Sequence, residues 1–113
     1  MQVLIIPAEG EPRWEDPEKI DLDYLKDKVG GWVEAIGVGH EITMYLHEEG
    51  KFIRDHVRNE LATRLAKKYA GIALTDYIAG DAVLVGAPDD EGDDTGLTSR
   101  AKAWLEMQVR DLG

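Results

Sequence analysis

The chain has no cysteine and only one phenylalanine among 113 residues. Without cysteine there is no disulfide, no thiolate metal site and no thiol nucleophile, so the core alone must hold the fold. The same absence suits a reducing compartment, and a cytoplasmic protein is expected. No apolar run approaches the roughly 20 residues that a membrane-spanning helix needs, so no membrane association is expected. The opening Met1–Pro7 lacks a basic leader and reads as a first strand. Positive charge is scarce as well: 13 Lys and Arg stand against 23 Asp and Glu, for a net charge of −10. A polyanion repels nucleic acid and anionic lipid unless its basic groups share one face, which argues against direct nucleic-acid binding.

What remains is the composition of a folded globule, with 43% hydrophobic and 32% charged residues. One domain, 1–113, is expected, with a more peripheral C-terminal helix over 98–112. Two segments hold much of the charge imbalance. Residues 9–27 carry eight acids against Arg13, Lys19 and Lys26, and residues 89–94 carry five acids and no base.

Periodicity supplies the elements. Val3–Ile6 is a short apolar run stopped by Pro7, which suits a strand covered on both faces. Residues 8–20, rich in Pro and Glu, read as a loop. Asp21 caps a short helix with Leu22, Leu25 and Val29 on one side, and Gly30-Gly31 ends it. Trp32–Val38 and Ile42–His47 form a hairpin about Gly37–Glu41, and 51–53 returns as a brief strand. Val57, Leu61, Leu65 and Tyr69 recur every four residues, predicting a helix over 56–70. Ala82–Val85 is a second buried strand, and Thr98 opens a final amphipathic helix. The sum is an α+β domain: a small mixed or antiparallel sheet with a hairpin, and two to three amphipathic helices packed on it. Val3–Ile6 and Ala82–Val85 are the expected central strands. Trp32 and Trp104 fall at core positions.

No motif fixes a reaction, and a non-enzymatic protein without cofactor or metal is expected. Neither His40-Glu41 nor His47-Glu48 continues to a second histidine at helical spacing. Ser99-Arg-Ala-Lys102 matches a serine acyl-transfer pattern but lacks its partner motifs. Gly37-Val-Gly39 joins two strands and lacks the third glycine of a dinucleotide loop. Asp89–Asp94 does not follow the ligand spacing of a calcium loop. Arg58, Arg64, Lys67 and Lys68 read as a solvated helix face.

Two functional readings survive. In the first, Asp89, Asp90, Glu91, Asp93 and Asp94, with Glu15, Asp16 and Trp14 (unless Trp14 folds back onto the core), form acidic loops that dock on a basic partner. Obstruction of a nucleic-acid-binding protein by mimicry is its sharper form. In the second, Tyr45, His47 and Asn59 line a pocket between sheet and helices for a small molecule or nucleotide. Either a monomer or a homodimer through an exposed strand edge fits the pattern.

The segments QVLIIPAEGEP, VGGWVEAI, HEEGKF, NELAT and GDAVLVGAPDDEGDDTG, in that order, resemble a small domain-of-unknown-function family common in actinobacteria and their phages. The likeness covers most of residues 1–96. His47 stands where that family usually has asparagine, and the final helix is longer than is usual there. The resemblance transfers no activity and no catalytic residue. What it implies is a phage-type, cytoplasmic accessory protein whose partner is a host or phage protein.

Overall fold

The computed structural model describes residues 1–53 and 56–113. Five strands form one sheet: β1 Val3–Ile6, β2 Arg13–Glu15, β3 Val33–Gly37, β4 Ile42–His47 and β5 Ala82–Gly86. Their order is β2-β1-β5-β4-β3, with every neighbouring pair antiparallel. Three helices pack on it: α1 Leu22–Val29, α2 Glu60–Leu65 and α3 Ser99–Leu112.

The apolar runs of β1 and β5 follow from their place in the middle. Each residue of β1 and β5 is buried, because both sheet faces are covered. Alternation sends Leu4, Ile6, Ala82 and Leu84 to one face, with Met44, Leu65, Ala101 and Leu105 of β4, α2 and α3. Val3, Ile5, Val83 and Val85 go to the other, against Leu25 and Val29 of α1. Burying a side chain of this size contributes about 1.5–3 kcal/mol. The helix ends are capped as their residues predict. Asp21 accepts from the Tyr24 N–H, Thr98 from the Ala101 N–H, and Gly30 closes α1 in the left-handed region.

Four expectations are corrected. Residues 8–20 are not all loop, since Arg13–Glu15 pair with β1 to form β2. The return at 51–53 is not a strand but a 3₁₀ turn, Gly50–Phe52. The second long helix begins at Glu60 rather than at 56, because Asn59 caps it and Arg58 bridges to Ala79. It then widens into a π-helical turn, Ala66–Ala70. Trp32 is no core residue: it is 58% exposed, with the Lys26 ammonium 4.0 Å above its ring.

Candidate binding face

The turn after β5 is built from its own carboxylates. Asp89 Oδ1 accepts from the Glu91 and Asp93 N–H groups, and the Gly92 N–H donates to the Asp89 carbonyl. Gly92 supplies the left-handed φ of 82° that lets the chain turn back. At the exit, Asp94 accepts a 2.6 Å bond from the Tyr45 hydroxyl on β4. Burial, and then Asp94, push the Tyr45 phenol above its ordinary range, so Tyr45 remains a donor. The chain is pinned beyond this point: the Gly86 N–H donates to the Thr95 carbonyl, and the Leu97 N–H to the Gln2 carbonyl. Three acids are left without a side-chain partner among the described residues: Asp90, Glu91 and Asp93. All three are exposed.

The second acidic segment comes to the same place. Lys19–Leu22 and Gly92–Asp94 line one cleft of about 420 Å³, together with Met1. Beside it Asp16 accepts a 2.6 Å bond from the Met1 amino group, which holds its carboxyl below the usual range. The Tyr24 N–H, followed by Lys19, does the same for Asp21. Residues 19–22 of the first acid-rich stretch and 92–94 of the second therefore meet on one predominantly anionic face, where the Met1 amino group pairs with Asp16 and Lys19 with Asp21 at 3.3 Å. Asp93 lines its cleft, Asp90 and Glu91 stand exposed on the same turn, and Asp89 and Asp94 are that turn's internal fasteners.

Trp14 and Glu15 do not join that face. Adjacent residues of β2 point to opposite sides of the sheet. Trp14 packs on the α3 side, where the Lys102 ammonium lies 4.9 Å from its ring. Glu15 turns to the α1 side, accepting from the Tyr24 hydroxyl at 2.8 Å and pairing with Lys28 at 3.0 Å and Arg13 at 3.1 Å. Burial raises the Glu15 carboxyl pKa, but its bonds to Lys28, Tyr24 and Arg13 together outweigh that and hold it low. A carboxyl depressed in the fold stabilises it above its ordinary value of 4.5, and that stability is lost as pH falls through the lower folded value. Glu15→Gln is accordingly expected to cost about 1 kcal/mol at neutral pH. In urea melts across pH 7 to 3, the gap to the parent protein should narrow below pH 4.5; a constant gap would contradict the assignment.

The chain matches the model of a domain of unknown function, DUF3846, over residues 1–109. It belongs to that family. No curated protein and no solved structure matches it. The match spans the whole sheet and nearly all of α3 of this DUF3846 domain.

Tyr45, His47 and Asn59 are spent on separate bonds. Tyr45 holds Asp94, and the His47 Nδ1 accepts from the Glu49 N–H at 3.0 Å. Asn59 is 1% exposed, donating to the Ile6 and Gly80 carbonyls and accepting from the Ala62 N–H. A cleft of about 560 Å³ that none of these three lines is bounded by Pro7, Arg13, Lys28, His56, Val57 and Asp81 among others. The His56 Nδ1 is buried with no hydrogen-bond partner among the described residues. Its ring lies where a side chain on Gly80 would stand, at a left-handed φ of 84°. Sequence reasoning missed this cleft because its walls come from separate segments, and Gly30 and Gly80 approach His56 only in the fold. Among the described residues no three His, Asp or Glu side chains are placed to hold a metal ion, and no helix is long and apolar enough to cross a membrane.

Proposed function

We propose that this domain is a non-catalytic accessory protein of phage type that binds a basic host or phage protein through its anionic face. The observation that carries the reading is the meeting of residues 19–22 and 92–94 around one cleft, beside Asp16. Gathered like charge raises the local potential well beyond what scattered carboxylates produce, and so steers a cationic partner to one orientation. Asp90, Glu91 and Asp93, which have no side-chain partner among the described residues, can pair with incoming Lys or Arg, while Asp89, Asp94 and Tyr45 keep the loop in shape before binding. In the sharper form the partner is itself a nucleic-acid-binding protein whose phosphate-contacting surface the face covers.

An NMR titration with an arginine-rich peptide tests this. Shifts should be confined to residues near 16–23 and 89–94, and should fade between about 50 and 200 mM salt as the attraction is screened. Shifts spread evenly over the surface would overturn it. A second reading, a small-molecule binder, draws on the 560 Å³ cleft and on the buried His56 Nδ1, which has no partner among the described residues. The cleft falls within the size range of ligand pockets, roughly 300–1,000 Å³. A thermal shift with one nucleotide or metabolite, absent for the arginine peptide, would favour that reading instead.

A further inference from the structure

The end of the sheet away from β2 carries a second feature, independent of the anionic face. Among the described residues strand β3 is an edge, paired with β4 alone. The Glu48 N–H donates to the Trp32 carbonyl and the Val38 N–H to the Ile42 carbonyl. The alternation of an antiparallel ladder then turns the amides of Glu34 and Ile36 inward to β4. The N–H and C=O groups of Val33, Ala35 and Gly37 point outward, away from the sheet.

This edge lacks most of the usual protections. It has no proline, no lysine and no bulge over its five residues, and none of the described elements lies beyond it. Its one charged residue is Glu34. Glu34 and Glu48 line a cleft of about 280 Å³ with Leu46, Phe52 and Tyr77, and neither has an ion-pair partner among the described residues. Lys51, the cation of that cleft, is already paired with Asp76. Phe52 lines the same cleft and is 84% exposed.

We propose that β3 takes up an extended, basic segment of a partner as a sixth strand, with Lys or Arg opposite Glu34 and an apolar side chain against Phe52. Main-chain bonds to Val33, Ala35 and Gly37 would supply the pairing, and the Glu34 and Glu48 carboxylates the selection for positive charge. A second copy of this chain fits less well. Two-fold pairing centred on Ala35 sets each Glu34 diagonally across from the other, and it joins two molecules of charge −10.

The test is amide hydrogen exchange on the full chain with an end-blocked nonapeptide of alternating valine and lysine. The amides of Val33, Ala35 and Gly37 should slow at least tenfold, while those of Glu34 and Ile36 stay as they were. A valine–glutamate peptide should do nothing. Ala35→Pro, which removes the central donor, should abolish the effect. Because that variant can also disturb the sheet, Glu34→Lys serves as its companion. It keeps the edge and should weaken the lysine peptide at least tenfold. The proposal fails if millimolar lysine peptide leaves the three amides unprotected, or if it protects only the 89–94 loop. It also fails if the free protein already shows protection that grows with its own concentration, which would place a second copy on the edge.

Discussion

Replacing Asn59 by alanine is expected to destabilise the fold by about 3–5 kcal/mol, from the sum of one lost cap and two buried carbonyls left bare. Asn59 is the N-cap of α2, accepting from the Ala62 N–H, and its amide also donates to Ile6 at 2.8 Å and Gly80 at 3.0 Å. It thereby joins the end of the central strand β1, the approach to β5 and the start of α2. Aspartate distinguishes this from ordinary capping. On an isolated helix Asp caps as well as Asn. Here it would face two carbonyl oxygens with no donor, so Asn59→Asp should be at least as damaging as Asn59→Ala. Denaturant melts giving Asn59→Asp near-parental stability would show that the two carbonyl bonds contribute little.

Gly86→Ala is the second large effect, expected at about 3 kcal/mol, or roughly 10 °C or more in Tm. Gly86 ends β5, and a Cβ there would lie inside van der Waals range of the Gly96 carbonyl oxygen and the Thr95 hydroxyl. The carbonyl belongs to backbone that cannot step aside, because Leu97 is bonded to Gln2 and Gly96 itself lies against Met1 and Gln2. The strain falls on the return of the acidic turn rather than on the core. Exchange at the Gly92 N–H, which donates to the Asp89 carbonyl, should quicken more than exchange in β1. Uniform quickening would mean that the strand end and the loop are not coupled in this way.

The parts of the fold legible in the sequence are those set by local pattern. The apolar runs of β1 and β5, the alternation of Ile42, Met44 and Leu46, and the caps Asp21 and Thr98 each announce their element. What stayed hidden is imposed by tertiary contact. β2 is three residues in a Pro- and Glu-rich stretch, and only its pairing with β1 makes it a strand. Val57 continues the four-residue spacing of α2, yet it lies before the Asn59 cap and is 43% exposed. At the candidate site, composition located the acids along the chain but not that Lys19–Leu22 would meet Gly92–Asp94. Nor could a stretch read as loop reveal that Trp14 and Glu15 face opposite sides. That follows only once β2 is known to be a strand.

If the anionic face binds as proposed, the position of its charges matters and the net charge alone does not. Two triple variants test it most directly, each removing three negative charges: Asp90→Asn, Glu91→Gln and Asp93→Asn in one, and Glu60→Gln, Glu106→Gln and Asp111→Asn in the other. Affinity for an arginine-rich peptide, measured at fixed salt by fluorescence anisotropy, should fall at least tenfold in the first and by less than about twofold in the second, on the scale of specific close charge pairs. Equal losses in both would contradict the account, leaving only the diffuse attraction of a polyanion for a cation.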